Sequence, residues 1–226
     1  VSVFAITDGH NYIILPEAKD YKRIGEGDTG LNTGGMGAVS PVDFADNEFM
    51  KKVEDSVIKR TVNGIKKEKL DYKGFIFAGL MNVNGEPYVI EYNVRMGDPE
   101  TQVVIPRIKN DLLNIFIKCL EEKINEVDLD IENNFTTTVI LAADGYPESY
   151  KKGDDIRNLE EFSNSKIFHA GTKKENNRIL SNGGRVIACT GYGESLEDAL
   201  KNSYKLADNI SWDNKYFRKD IGEDLK

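Results

Sequence analysis

The residues best suited to chemistry lie in one stretch, 88–102, where polar and apolar side chains alternate. Glu91, Asn93 and Arg95 are each separated by one apolar residue. Because the side chains of a strand point to alternate faces, this spacing predicts a carboxylate, a carboxamide and a guanidinium on one face. The opposite face is predicted to be buried, and it consists of Ile90, Tyr92 and Val94.

Two oxygen ligands spaced two residues apart suit a hard cation. Mg²⁺ takes one or two protein oxygens and leaves its other positions to water and phosphates, so Glu91 and Asn93 are candidate metal ligands. Arg95 could hold an anionic oxygen with its planar fork. A solvated polar face on an antiparallel strand would produce the same alternation. Spacing alone leaves both interpretations open.

The second half of this stretch predicts the start of a helix. Pro99 sits where a first helical residue belongs, and Asp98 precedes it at the N-cap position. A helix N-terminus carries unpaired N–H groups and a positive partial charge, so it can also bind an anion. Asp98 is therefore either a cap, a ligand contact or both.

A β-hairpin is predicted to position the polar strand. Phe75–Val83 is an apolar run, and Asn84-Gly85 is a strong signal for a two-residue turn, so this run should pair with the strand that opens at Tyr88. Two further elements are predicted upstream: a hairpin formed by 3–7 and 12–15, and a long amphipathic helix over 47–70.

The segment Lys19–Pro41 contains six glycines and little periodicity. It is predicted to be a long irregular loop, which in a compact chain is either functional or disordered. Gly34 and Gly35 would let backbone N–H groups approach a ligand closely. No Gly-Lys-Ser/Thr ending is present, which excludes a Walker A loop.

The remaining elements suggest a second domain. A helix over 110–123 is predicted to bury one stripe of residues: Leu113, Phe116, Ile117 and Leu120. The acidic, Asn-rich stretch 126–135 is the best candidate for a linker. Beyond it, strands are predicted at 138–143, 166–169 and 185–190, followed by a helix that Ser195 and Asp198 cap.

Composition narrows the class of protein. The chain has 226 residues and a net charge of −8, which argues against general binding to nucleic acid or membrane surfaces. Cys119 and Cys189 form neither a disulfide framework nor a zinc pattern, so we expect a reducing cytoplasm. No apolar run approaches the length of a membrane span, and no signal peptide is visible. The start at Val1, without Met, suggests part of a longer protein.

Several motifs together resemble one known family. The stretch RMGDPETQV resembles the signature of the phosphoribosylamine–glycine ligase (glycinamide ribonucleotide synthetase) family of ATP-grasp enzymes, and VIEYN resembles the family's metal-binding strand. DYKR with GDTGLNTGGMGAVSP resembles its substrate loop. The motifs FHAGT, NGGRV and FRKDIG resemble its C-terminal domain.

The resemblance implies roles for particular residues. Glu91 and Asn93 would hold Mg²⁺ or Mn²⁺, and Arg95 would be catalytic, stabilising an acyl phosphate or the substrate phosphate. The remaining implied substrate contacts are Asp28, Asn32, Gly34, Gly35, Asp98 and Glu100, with Lys22 and Arg23 as weaker anion contacts.

The resemblance also implies the fold and the reaction. We expect an α+β chain: the C-terminal portion of an ATP-grasp domain over 1–125, with an antiparallel sheet and flanking helices, and a small mixed β/α domain over 136–226. The implied reaction joins glycine to 5-phosphoribosylamine with ATP as co-substrate, in purine synthesis. The N-terminal part and most of the ATP site would be missing, so the isolated chain is predicted to be inactive. Another ATP-grasp carboxylate–amine ligase and a non-catalytic binding module remain alternatives.

Overall fold

Antiparallel strands supply most of the regular structure of the chain, of which the computed structural model describes every residue from Val1 to Lys226. In chain order the strands are β1 (Ser2–Thr7), β2 (Tyr12–Ile14), β3 (Lys19–Asp20), β4 (Arg23–Gly25), β5 (Thr29–Asn32), β6 (Gly37–Ser40), β7 (Gly74–Val83), β8 (Glu86–Asn93), β9 (Phe135–Ala142), β10 (Asp155–Ile156), β11 (Ser165–His169), β12 (Thr172–Glu175), β13 (Arg178–Ser181) and β14 (Arg185–Gly193). The α-helices are α1 (Asn47–Val53), α2 (Lys59–Lys67), α3 (Thr101–Val104), α4 (Leu112–Leu120) and α5 (Leu196–Asn209). The predicted α+β class is confirmed.

These elements form two compact units that interleave along the chain. Unit 1 consists of Val1–Lys19, Pro41–Gly97 and Val104–Asn133. Unit 2 consists of Asp20–Ser40, Asp98–Val103 and Asn134–Lys226. The predicted domains, 1–125 and 136–226, are each contiguous in the sequence, and these bounds stay a prediction. The compact units differ from them because 20–40 and 98–103 pack with the C-terminal residues.

Unit 1 is built on one sheet with the strand order β2-β1-β7-β8, in which every pair is antiparallel. Both predicted hairpins are present, since β1 pairs with β2 and β7 with β8. Local turn chemistry explains the β7–β8 hairpin, because Asn84 and Gly85 both adopt the positive φ that a tight turn requires. The central strand β1 is buried throughout, and Phe4 packs edge-on against Phe77.

The predicted amphipathic helix is confirmed over most of its length. It comprises α1, a π-helical turn at Glu54–Ile58 and α2. The Asp46 side chain accepts a hydrogen bond from the Phe49 backbone N–H at 2.8 Å, so the helix begins with a capped end.

The prediction that β8 has a buried apolar face is wrong. Ile90, Tyr92 and Val94 are 64%, 49% and 75% exposed. The physical reason is that β8 is an edge strand that α1 and α2 cover only in part, with contacts such as Lys52 to Glu86 and Thr61 to Tyr92. The strand also ends at Asn93, so the alternation does not extend to Arg95.

Helix α4 buries a different stripe from the predicted one. Ile115 and Cys119 are buried, 1% and 5% exposed. The predicted core residues lie outward, with Leu113 64% and Leu120 67% exposed. Both stripes are apolar at helical spacing, so periodicity could not decide which one faces the sheet.

Unit 2 contains a five-stranded sheet with the order β11-β14-β9-β6-β3, a three-stranded sheet β10-β13-β12 and the hairpin β4-β5. Helix α5 supplies Leu206 and Ala207 to the core, and Ile210, which follows its last residue, also packs there. The predicted cap at its start is confirmed, because Ser195 Oγ accepts a hydrogen bond from the Asp198 N–H at 3.1 Å. The predicted strands at 138–143, 166–169 and 185–190 are present as β9, β11 and β14.

Two segments predicted to be irregular are structured. The glycine-rich segment 19–41 contains four strands and a single 3₁₀ turn, Glu26–Asp28, so it is not a structureless loop. The stretch 126–135, predicted as a linker, hydrogen-bonds within unit 1: Lys109 N–H donates to Asp130 O at 2.9 Å, and Glu132 N–H to Arg107 O at 2.7 Å. None of the helices has the length and apolar composition that crossing a bilayer requires.

Candidate functional site

The nine predicted site residues divide between the two units. Glu91, Asn93 and Arg95 belong to unit 1, and the others belong to unit 2. Each group is described within its own unit.

In unit 1, Glu91 and Asn93 share one face of the sheet, as predicted. Glu91 lies opposite Gly79 and Asn93 lies opposite Phe77 in the β7–β8 register. Directly paired residues of antiparallel strands project from the same face. Ile90 has no partner, because Leu80 pairs with Val89 while Gly79 pairs with Glu91. This bulge sets the direction in which the following residues project.

Gly79 leaves room for the Glu91 side chain. A Cβ atom at position 79 would lie 2.9 Å from Cγ and 3.5 Å from Oε1 of Glu91. The carboxylate therefore extends across the backbone of the neighbouring strand, over the one residue that has no side chain. Any larger residue at position 79 would force Glu91 to shift.

The donor set of this face fits a hard divalent cation. Glu91 offers carboxylate oxygens and Asn93 a carboxamide oxygen, which are ligands that Mg²⁺ accepts. Nowhere in the chain do three or more His, Cys, Asp or Glu side chains gather as a metal cage. Arg95 lies beyond the end of β8, and its Nη1 donates to the adjacent Met96 carbonyl at 2.9 Å.

In unit 2, Gly34 and Gly35 are packed against protein atoms. A Cβ at position 34 would lie 2.8 Å from Cζ of Arg185, and one at position 35 would lie 2.4 Å from Cδ of Pro99. Gly35 also has a φ of +119°, which favours glycine. These contacts account for both glycines without a ligand, so close approach of a substrate there stays a prediction.

Asp98 is held by two side chains. Its Oδ2 lies 3.0 Å from Arg185 Nη2, and its Oδ1 accepts from Gln102 Nε2 at 2.8 Å. The side chain remains 51% exposed. Helix α3 begins at Thr101, so Asp98 stands three residues before the first helical residue rather than directly before it, and its role as a cap stays a prediction. Its role as a ligand contact stays open.

Asp28 is bound to a buried arginine. Arg218 Nη1 donates to Asp28 Oδ1 at 2.7 Å, and Arg218 also forms two hydrogen bonds with Asp220. Burial lowers the pKa of Arg218, but hydrogen bonds to Asp220 and Asp28 outweigh it and raise the pKa. The Arg218 guanidinium in turn holds the pKa of Asp220 below its usual value. Gly27 N–H donates to Asp220 at 2.7 Å, so this cluster fixes the 3₁₀ turn.

A cavity of about 430 Å³ adjoins this cluster. Its charged lining consists of Asp28, Asp220, Glu223, Asp224 and Arg218. Four carboxylates against one guanidinium leave a formal charge of −3, which disfavours an anion at this position.

The other predicted residues of unit 2 occupy varied environments. Asn32 is exposed at the end of β5. Glu100 is 3% exposed, so its carboxylate is enclosed by protein. Lys22 Nζ lies 2.8 Å from Asp20 Oδ2, and Arg23 donates to Gly30 O at 2.8 Å. Substrate contact by these residues stays a prediction.

Sequence reasoning missed three residues that organise this part of unit 2. Arg185 and Arg218 lie in motifs that the resemblance covered without giving them a role. Tyr146 follows a glycine in an apparent turn, and its hydroxyl accepts the Gly34 N–H at 3.0 Å. Each contacts residues more than 80 positions away. Local sequence patterns carry no signal for such contacts.

Comparisons with known proteins agree with the motifs of the sequence. The family model described as "Phosphoribosylglycinamide synthetase, ATP-grasp (A) domain" matches residues 1–101, and the one described as "Phosphoribosylglycinamide synthetase, C domain" matches residues 136–224. The phosphoribosylamine–glycine ligase of Fusobacterium nucleatum is 44% identical over 226 residues, which is 98% of this chain and 53% of that protein. A bifunctional purine biosynthetic protein of Pichia angusta is 46% identical over 98% of this chain and 28% of that protein.

Solved structures show the same relationship. The crystal structure of phosphoribosylamine–glycine ligase from Thermotoga maritima matches with a TM-score of 0.84 and 37% identity, over 97% of this chain and 55% of that one. The biotin carboxylase domain of a Hydrogenobacter thermophilus 2-oxoglutarate carboxylase matches at a TM-score of 0.67 with 14% identity, a likeness of fold alone. The chain spans about half the length of the ligases that it matches.

The two family models together account for most of the chain and follow the order of its motifs. The chain therefore belongs to the phosphoribosylglycinamide synthetase family, of which it carries residues of the ATP-grasp domain and the C domain.

Proposed function

We propose that this chain forms part of an ATP-dependent ligase that joins glycine to 5-phosphoribosylamine. The observation that carries the proposal is the 44% identity with the Fusobacterium nucleatum ligase over 98% of this chain. The retained GDPETQ turn and the polar pair on β8 support it further.

The proposed chemistry has two steps. The γ-phosphoryl group of ATP is transferred to a glycine carboxylate oxygen, which gives glycyl phosphate and ADP. The amine nitrogen of phosphoribosylamine then attacks the glycyl carbonyl carbon, the C–O bond to phosphate breaks, and the nitrogen loses a proton as the amide forms. Inorganic phosphate leaves. Both steps require reactants aligned in a site that excludes water.

The residues of this chain would act by binding and orienting the charged groups of the reaction: a metal ion, a phosphate group and an amine. Glu91 and Asn93 would bind Mg²⁺ or Mn²⁺, which when present neutralises charge on phosphate oxygens. Arg95 would approach the acyl phosphate or the substrate phosphate with its guanidinium. Asp98, half-exposed and held by Arg185 and Gln102, would orient the incoming amine.

The exposed surface of unit 1 supports a larger enzyme. Of the 15 exposed large apolar side chains, all but Leu31 and Tyr216 lie in unit 1. Many lie on the β7–β8 hairpin, including Tyr88, Ile90 and Val94. An apolar patch of this kind marks an interaction surface. We propose that the remaining half of the enzyme, including most of the ATP site, covers it.

This proposal makes the isolated chain inactive and places the enzyme in the cytoplasm. Inactivity follows because positioning a metal cannot replace the missing nucleotide contacts. A cytoplasmic location is in keeping with two buried and unpaired cysteines, Cys119 and Cys189.

A chimera tests the function directly. Residues 1–226 would replace the matching segment of the Fusobacterium nucleatum ligase, and formation of glycinamide ribonucleotide would be measured with ATP, glycine and phosphoribosylamine. We expect turnover that requires all three substrates. Asn93→Ala should abolish turnover while leaving the melting temperature close to that of the parent chimera. A folded chimera that hydrolyses ATP without joining glycine would refute the proposed reaction.

A further inference from the structure

Arg185 joins two segments that carry predicted substrate contacts. It stands at the start of β14, and its side chain is 20% exposed. Nη1 donates to the carbonyls of Gly34 at 3.0 Å, Gly35 at 3.4 Å and Asp98 at 2.5 Å. Nη2 contacts Asp98 Oδ2 at 3.0 Å. One guanidinium therefore binds the backbone of both segments and the exposed carboxylate.

The packing around Arg185 explains why position 34 is a glycine. The Gly34 backbone lies against the guanidinium plane, where a Cβ would approach both Cζ and Nη2 to 2.8 Å. Tyr146 and Thr33 bind the backbone N–H groups: Gly34 N–H donates to Tyr146 Oη at 3.0 Å, and Gly35 N–H to Thr33 Oγ1 at 2.9 Å. Hydrogen bonds therefore fasten this loop through both its backbone carbonyl groups and its backbone N–H groups.

The contacts of Arg185 require the planar guanidinium group of an arginine. Lysine would offer three donors on one flexible, tetrahedral nitrogen, which cannot reach carbonyls and a carboxylate spread along the edge of a guanidinium. Because the Nη groups of Arg185 already bind protein atoms, this side chain is not free to bind a substrate in the same way. Arg185 would therefore act on a substrate indirectly, by holding Asp98 and the backbone of the two glycines in place.

We propose that Arg185 is a positioning residue that holds Asp98 and the Gly34–Gly35 backbone in one fixed arrangement for the amine substrate. This inference deepens the proposed function and rests on it for the identity of the substrate. The structural part, the fastening of the loop, stands on the contacts of the chain itself.

The first test uses the 226-residue chain alone. Amide hydrogen exchange would be compared between the parent chain, Arg185→Lys and Arg185→Ala. We expect faster exchange at Gly34 and Gly35 in both variants, and unchanged exchange at Cys189 in the middle of β14. Arg178→Ala is the matched control, since Arg178 is an exposed arginine of the same unit. Unchanged exchange at the glycines would overturn the proposal.

The second test uses the chimera. We expect Arg185→Lys and Arg185→Ala to raise KM for phosphoribosylamine by about 10- to 100-fold, because small misplacements of contact groups carry costs of that order. KM for ATP should change less than twofold. Added guanidinium chloride at millimolar concentration should partly restore the Arg185→Ala variant and not a Gly35→Val variant.

The two tests separate the two proposals. A chimera without ligase activity in any form would refute the proposed function, while faster exchange at Gly34 and Gly35 would still support the fastening role. An active chimera in which Arg185→Lys leaves KM for phosphoribosylamine unchanged would refute the positioning role alone. An equal rise in all three KM values would also refute it, because that outcome indicates general unfolding of unit 2.

Discussion

Nη1 of Arg218 lies 2.7 Å from Oδ1 of Asp28, and the arginine side chain is only 1% exposed while that of the aspartate is 60% exposed. A buried cation is therefore bound to a carboxylate at the surface. Asp220 completes the pairing from the other side, with its Oδ2 2.7 Å from Arg218 Nη2. Asp28 therefore has a structural partner whatever its role toward a substrate.

Replacing this arginine should destabilise unit 2. Arg218→Met keeps much of the side-chain length but removes the charge and every hydrogen bond to the two carboxylates. We expect a loss of about 2–3 kcal/mol in the free energy of unfolding, less than for a wholly buried pair because Asp28 can still reach water. Urea unfolding of the 226-residue chain measures it. Arg178→Met, at an exposed site, should change stability by less than about 0.5 kcal/mol. Equal effects of the two variants would contradict this account.

Gly79→Ala should weaken metal binding more than it weakens the fold. The new Cβ would lie 2.9 Å from Glu91 Cγ, so the carboxylate must move away from its present position. In the chimera we expect the Mg²⁺ concentration for half-maximal activity to rise, and Mg²⁺-dependent protection of the β8 amides from hydrogen exchange to fall. The melting temperature should change by only a few degrees, as is usual for a loss of about 1 kcal/mol.

Gly64→Ala is the matched control and should act in the opposite direction. Gly64 lies inside α2, and a Cβ there meets nothing within 4 Å. Alanine in a helix interior is favoured over glycine by about 0.5–1 kcal/mol. We expect the chain to gain stability by this amount in urea unfolding, with the Mg²⁺ requirement unchanged. A loss of stability would show that the helix needs glycine for a reason not visible in its contacts.

Asp8 should make the chain less stable in acid. It is 2% exposed, and burial raises its pKa. Hydrogen bonds from Asn11, His10 and Ile124 outweigh burial and lower the pKa below the ordinary value of 3.8. Because the folded-state pKa is the lower one, Asp8 contributes stability above about pH 4 that is lost as the pH falls through the folded-state pKa.

Asp8→Asn isolates this contribution. The amide cannot accept all of the hydrogen bonds that the carboxylate accepts, so we expect a loss of about 1–2 kcal/mol at pH 6. The difference from the parent chain should shrink as the pH falls from about 4 through the lower folded-state pKa, because the unfolded parent chain then binds a proton more readily than the folded one. Urea unfolding between pH 6 and pH 2.5 measures the difference, with Asp43→Asn, an exposed site, as the control. A stability difference between the two chains that grows as the pH falls would contradict a lowered pKa for Asp8.

The apolar face of unit 1 should drive self-association of the isolated chain. Ile90 is 64% exposed on β8, beside other exposed apolar residues of the same hairpin. We expect Ile90→Lys to reduce self-association in sedimentation experiments without lowering the melting temperature, because little apolar contact is lost. In the chimera the same change should lower activity. Leu31→Lys, at a site 50% exposed in unit 2, is the control and should leave self-association unchanged.

The sequence by itself determined those features that depend on neighbours along the chain. Turn residues at positive φ, Asn84 and Gly85, specify the β7–β8 hairpin. Ser195 and Asp198 specify the start of α5 through a hydrogen bond between residues three apart. The family motifs, local strings of residues, indicated the ligase family for the same reason.

Only the tertiary structure decided which faces are covered and which distant groups meet. Helix α4 carries two apolar stripes, and packing buries the one containing Ile115 and Cys119. Strand β8 alternates as a half-buried strand does, yet it is an edge strand whose apolar residues Ile90 and Tyr92 stay exposed in this chain. Arg185 reaches Asp98 across 87 residues, and Arg218 reaches Asp28 across 190. Contacts between residues so far apart depend on how the whole chain folds, so no local pattern can specify them.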